Sequence, residues 1–71
     1  YKEMRELEKL PGVIETLENR IAGMTAAMNE PAFFKQSADA IVSANEAMAK
    51  TQAELDVAYA RWQELEAASG E

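Results

Sequence analysis

The stretch LEKLPGVIETLENRIAGMTAAM, residues 7–28, carries apolar residues separated by alternating steps of three and four positions. The second half of the chain keeps the same alternation. An average spacing of 3.5 residues is typical of a coiled-coil seam, so each half predicts a helix with one apolar face. The seam residues are Leu7, Leu10, Ile14, Leu17, Ile21, Met24 and Met28, then Ile41, Ala44, Met48, Thr51, Leu55, Ala58, Trp62 and Leu65.

The segment between the two seams, NEPAFFKQ at residues 29–36, predicts a reversal of the chain. Pro31 disfavours helix at the residue before it. Phe33 and Phe34 are too apolar for an open loop, so we expect both to cover the end of the seam. Ser37 is a favourable N-cap for a second helix. The sequence therefore predicts one all-α domain over residues 1–71, an antiparallel two-helix coiled-coil hairpin with helices at about 1–29 and 37–67.

Pro11 and Gly12 interrupt the first seam. A proline inside a helix removes the hydrogen bond to the carbonyl four residues earlier, here that of Leu7, and costs roughly 3 kcal/mol. The phase of the seam nevertheless does not change across Pro11. We therefore expect a kink or a short break near Pro11, with the two pieces of helix remaining nearly collinear.

The position of the turn also predicts a register. If the chain reverses within residues 31–35, antiparallel pairing brings Leu7 near Tyr59 and brings Arg61 to the level of Arg5. Trp62 is then level with Leu7 and closes the open end of the hairpin.

Composition excludes several classes of function. The 71 residues include no cysteine and no histidine, so disulfides, thiolate metal sites and histidine-dependent catalysis are absent. The glycines are isolated and form no phosphate-binding loop. We predict no catalytic, cofactor or metal site, no membrane-spanning segment, and an origin in a longer cytoplasmic protein.

The basic residues offer one candidate site. Lys2, Arg5 and Lys9 form an outward stripe on the first helix, and Arg61 lies near their level on the second. Four of the seven basic residues thus collect at the open end, which predicts a patch able to contact phosphates. Ordinary surface charge is the alternative, because glutamates are interleaved with these residues and the net charge of the chain is −6.

Three segments carry a family resemblance: RELEKLPGVIETLE at 5–18, PAFF at 31–34 and AYARWQELE at 58–66. Together they resemble the C-terminal domain of Uup-type ABC-F ATPases, over essentially the whole chain. The resemblance implies a parent protein with two tandem ATP-binding cassettes and no membrane domain. It also implies that this segment is a coiled-coil tail implicated in DNA binding, while the ATPase body does ribosome-linked work. ATP is then a ligand of the parent, and the catalytic residues lie in its cassettes.

Two functions remain open at this point. The first is a non-catalytic interaction module that helps the parent protein engage DNA or ribosomal RNA, with weak affinity, alongside its own ATPase cassettes. The second is a structural coiled coil that dimerises or spaces domains. We expect the isolated chain to be a monomer, because its two seams can satisfy each other within one molecule.

Overall fold

The computed structural model describes residues 2–69, and these residues form an antiparallel helical hairpin. Helix α1 spans Lys2–Met28, a short 3₁₀ helix spans Pro31–Lys35, and helix α2 spans Ala38–Ser69. The molecule is a rod of 53 × 16 × 15 Å. The predicted all-α hairpin is confirmed.

The core lies along the predicted seam. Every described seam residue is buried or half-buried, while nearly all residues between the seam positions are exposed. Within residues 2–69, Thr51 is the one polar residue among the buried seam residues, and its hydroxyl is satisfied because Oγ1 donates a hydrogen bond to the carbonyl of Ala47 at 2.9 Å. The most deeply buried seam residues are Leu10, Ile14, Leu17, Thr51, Ala58 and Leu65.

Helix α1 passes through Pro11 without the short break that the sequence allowed. The flanking seam residues Leu10 and Ile14 both belong to the core cluster shared with α2. Their packing requires the same helical phase on both sides of Pro11, and it offsets the hydrogen bond that the proline removes. Of the two predicted alternatives, the short break is therefore absent, and a kink at Pro11 stays a prediction.

The connection buries one of its two phenylalanines. Phe33 is 7% exposed, whereas Phe34 is 71% exposed, and their rings meet edge to face with centroids 5.3 Å apart. The expectation that Phe34 also covers the seam was wrong. Backbone hydrogen bonds hold the turn on both sides, from the Phe33 N–H to the Glu30 carbonyl and from the Gln36 N–H to the Phe33 carbonyl.

The start of α2 follows the predicted capping. Ser37 Oγ accepts a hydrogen bond from the N–H of Ala40 at 3.2 Å, which is the geometry of an N-cap. The observed helix ends two residues later than the predicted end at 67, at Ser69. The sequence also predicts that Ser69 and Gly70 end this helix, and Gly70 lies outside the described residues.

The two helices pair in a different register from the predicted one. Leu7 lies beside Leu65 rather than Tyr59, a difference of six positions. Trp62, predicted level with Leu7, lies beside Ile14 instead. The 3₁₀ helix packs against α1. The chain therefore reverses after the 3₁₀ helix rather than at the centre of that helix. As a result, every residue of α2 is displaced along α1 from its predicted position.

No helix within residues 2–69 contains a segment that is long and apolar enough to cross a membrane.

Candidate nucleic-acid interface

Three of the four predicted contact residues line one shallow groove at the open end of the hairpin. Lys2, Arg5 and Lys9 surround it, together with Glu6 and the apolar side chains of Leu10 and Val13. The helical repeat explains the arrangement, because residues three, four and seven positions apart share one face. The structure therefore brings together the basic residues that the sequence placed on one stripe of α1.

Arg61 reaches the same neighbourhood but is engaged by carboxylates. Its Nε donates to Glu6 Oε2 at 2.7 Å and its Nη2 donates to Glu6 Oε1 at 2.9 Å. Its Nη1 lies 3.2 Å from Glu64 Oε1. Two acidic side chains thus offset the charge of Arg61 and occupy three of its nitrogens. This geometry favours a role in joining the helices over the predicted contact with nucleic acid.

The ion pair changes the titration of both partners. Hydrogen bonds from Arg61 lower the pKa of Glu6 below its ordinary value of 4.5, against the opposing effect of partial desolvation. The same bonds raise the pKa of Arg61. A carboxylate whose pKa is lower in the folded state stabilises the fold above its unfolded pKa. That contribution is lost as the pH falls through the lowered pKa of Glu6.

Replacing Glu6 with glutamine should therefore lower the melting temperature at neutral pH. The difference from the unmodified chain should shrink as the pH falls from the ordinary carboxyl value of 4.5 through the lowered pKa of Glu6, because Glu6 of the unmodified chain then becomes protonated. Thermal unfolding followed by circular dichroism between pH 7 and pH 3 measures both effects. Glu15→Gln, at an exposed position of the same helix, is the matched control and should change little. Equal stability of the Glu6→Gln variant and the unmodified chain at pH 7 would contradict this role for the pair.

A second bond between the helices lies on the opposite edge of the seam. The Tyr59 hydroxyl donates to Glu18 Oε2 at 2.7 Å, and this hydrogen bond raises the pKa of Tyr59 above its ordinary value of 10.0. Its ring lines a small pocket with Pro11, Ile14 and Trp62. Through these contacts, both Tyr59 and Trp62 help to hold the helices together.

Sequence reasoning did not identify Glu6 and Glu18 as partners across the hairpin. Both occupy positions that flank the seam, where charged residues commonly pair between coiled-coil helices. The heptad pattern therefore marks Glu6 and Glu18 as positions that could pair with the other helix. It could not be used with the predicted register, because that register misaligned α2 along α1.

Other chemical sites are not evident in the described part of the chain. No group of three or more acidic residues within residues 2–69 is arranged to hold a metal ion.

Comparison with known proteins gives one family for nearly the whole chain. The family described as ABC transporter C-terminal domain matches residues 1–67. The chain is 48% identical over 66 residues to an ATP-binding protein Uup-like of Haemophilus influenzae, covering 93% of this chain and 14% of that relative. It is also 48% identical over 66 residues to the ATP-binding protein Uup of the same organism, covering 93% of this chain and 10% of the relative.

A third relative is more distant. The ATP-binding protein Uup of Escherichia coli is 36% identical over 67 residues, which cover 94% of this chain and 11% of that protein. The chain thus spans only a tenth to a seventh of the length of these relatives. No solved structure matches the chain.

Proposed function

We propose that this chain, which belongs to the ABC transporter C-terminal domain family and is the C-terminal domain of a Uup-type ABC-F protein, helps its parent protein engage nucleic acid. In this role it is a non-catalytic interaction module, and DNA or ribosomal RNA is its partner. The parent protein supplies ATP binding and hydrolysis in its cassettes and works in the cytoplasm.

The basic groove at the open end is the observation that supports this proposal. Lys2, Arg5 and Lys9 converge there. The acidic residue among them, Glu6, is bonded to Arg61. Phosphate oxygens are the groups that clustered lysine and arginine side chains contact most often in nucleic-acid complexes. The groove thus places three exposed basic side chains together on a chain that is acidic as a whole.

The position of the groove fits a tail that acts with its parent. It lies next to the N-terminal end of α1, and a C-terminal domain is joined to the rest of its protein at its N-terminal end. A nucleic acid bound there is near both the tail and the ATPase body. The net charge of −6 opposes the encounter with a polyanion, so the isolated chain should bind weakly. We expect it to bind as a monomer, because its two seams pair within one molecule.

The proposal is tested by titrating the intact protein with a DNA duplex and with a structured RNA at several salt concentrations. The combined variant Lys2→Ala, Arg5→Ala and Lys9→Ala should bind more weakly than the unmodified protein. It should also lose about 2.7 from the slope of log K against log salt for duplex DNA, at about 0.9 for each phosphate contact. Fluorescence anisotropy with a labelled nucleic acid measures both quantities.

Lys50→Ala is the matched control, because Lys50 is an exposed basic residue on α2, away from the groove. It should leave the slope nearly unchanged. Unchanged affinity and slope for the triple variant, or no salt-dependent binding by the unmodified protein, would contradict the proposal. Sedimentation of the same samples separates it from the structural alternative, since a domain that acts by dimerising the protein would sediment as a dimer.

A further inference from the structure

The basic residues of α1 continue beyond the open end along a single line of the helix. Lys2 and Arg20 are 18 residues apart, which is five full turns of an α-helix, so both lie on the same side of α1. At about 100° per residue, Lys2, Arg5, Lys9 and Arg20 fall within an arc of about 60°. The stripe they form is about 27 Å long, at a rise of about 1.5 Å per residue.

Acidic side chains flank this stripe but do not lie within its arc, and Glu8 is one that borders it between Lys9 and Arg20. By the same helical geometry, none of the glutamates of α1 falls within the arc. Glu6 is the nearest to it, and its carboxylate is bonded to Arg61. Within residues 2–69, no ion pair or side-chain hydrogen bond involves Lys2, Lys9 or Arg20. Their charges are therefore available along the stripe.

A shallow depression joins Lys9 to Arg20. Gly12 and Thr16 line it between these two residues, with the exposed Val13 beside them, and Glu8 lines it at one edge. A Cβ added to Gly12 would meet no atom within 4 Å, so the helix backbone is open to a close approach at this point. The Thr16 hydroxyl donates to the Gly12 carbonyl at 2.9 Å. This groove and the groove at the open end share Lys9 and Val13 and are therefore continuous.

We propose that α1 binds the sugar–phosphate backbone of a nucleic acid lengthwise, along the stripe Lys2, Arg5, Lys9 and Arg20, with Gly12 providing the point of closest approach. Arg20, not Arg61, is then the fourth phosphate contact. This inference rests on the proposed function and specifies its surface. The length of the stripe corresponds to about eight base pairs of a duplex, at 3.4 Å per pair.

The composition of the stripe favours a nucleic acid over a protein partner. Protein interfaces are usually centred on buried aromatic or large apolar anchors. The stripe and its borders offer cations, a glycine, a hydroxyl and the carboxylate of Glu8, with Val13 as the one exposed large apolar side chain among them. Spaced cations without an apolar anchor are typical of surfaces that contact a phosphate backbone.

The test measures Arg20→Ala in the intact protein against a DNA duplex and an RNA duplex of equal length. For DNA, the loss of one contact should lower the salt slope by about 0.9 and weaken binding about eightfold at 0.1 M salt, if the ion pair contributes only through counterion release. Lys50→Ala removes the same charge from α2 and should weaken binding less than about twofold. The comparison between the two duplexes shows whether the stripe prefers DNA or RNA.

A second pair of variants tests the depression itself. Gly12→Glu meets no steric obstacle and replaces glycine with a better helix former, so the fold should be retained. It should weaken binding more than about tenfold, because it adds a carboxylate within the stripe and opposes a phosphate contact. Gln52→Glu adds the same charge at an exposed position of α2 and should have little effect.

The outcomes separate this inference from the proposed function. Absence of salt-dependent binding by the unmodified protein overturns both. Equal effects of Arg20→Ala and Lys50→Ala, or of Gly12→Glu and Gln52→Glu, overturn the stripe and leave the groove at the open end intact. A loss of about 0.9 in slope from the charge-neutral pair Glu6→Gln with Arg61→Gln also overturns it, because Arg61 would then be the fourth contact. Binding of an acidic protein but neither duplex would identify the surface as a protein interface.

Discussion

Replacing Leu17 with alanine is expected to leave a large share of the hairpin unfolded at room temperature. Leu17 is 7% exposed and belongs to the core cluster that joins α1 to α2. Truncating a buried leucine to alanine costs about 2–5 kcal/mol, through lost burial and the cavity that remains. A scaffold of this size has only about 3–5 kcal/mol of stability in total. Urea unfolding followed by circular dichroism measures the loss.

Val57→Ala is the matched control for this experiment. Val57 is 69% exposed on α2, so its truncation should change the free energy of unfolding by less than about 0.5 kcal/mol. A loss below about 1 kcal/mol for Leu17→Ala would contradict the role of the seam as the source of stability. That result would mean that the neighbouring side chains collapse into the space that the leucine leaves.

The seam could be predicted from the sequence because burial in a two-helix hairpin follows one repeating pattern. Leu10, Leu17 and Leu65 are buried where the spacing of three and four placed them. The pattern also indicates continuity across Pro11, because the phase does not change there. The packing of the seam then keeps α1 helical through that proline.

The register could not be predicted in the same way, because a repeat of seven residues fits more than one alignment of two long helices. It depends on how many residues the connection uses before the chain reverses. That number depends on the 3₁₀ helix packing against α1, which is a tertiary contact. The partner of Arg61 depends in turn on the register, so the sequence could identify a basic residue at the open end but not its engagement by Glu6.

The same reasoning explains why Arg20 was not selected as a contact. In the sequence, Arg20 lies 18 residues beyond Lys2 and therefore outside the group of basic residues at the open end. The structure shows that the groove at the open end continues past Gly12 to Arg20, and that Arg61 is withdrawn into an ion pair. The candidate site thus moves from one end of the rod to a line along α1, while three of its four predicted residues stay the same.

Replacing Phe33 with alanine is the second change with a large expected effect. Phe33 is 7% exposed and lines a small cavity with Met24, Met28 and Ala44, where the two helices meet the turn. Losing a buried phenylalanine costs about 3–5 kcal/mol, and the lower end applies here because the turn lies at the end of the rod. Urea unfolding of the variant should show a loss of about 3 kcal/mol, enough to leave much of the chain unfolded.

The neighbouring phenylalanine provides a control of identical chemistry. Phe34 follows Phe33 directly but is 71% exposed, so Phe34→Ala should cost less than about 0.5 kcal/mol. Similar losses for the two variants would show that the edge-to-face contact between the rings, rather than the burial of Phe33, stabilises the turn. A large loss for Phe33 alone would show that the burial of this side chain stabilises the turn where the two helices meet. The position of that turn is what aligns Glu6 with Arg61 across the hairpin.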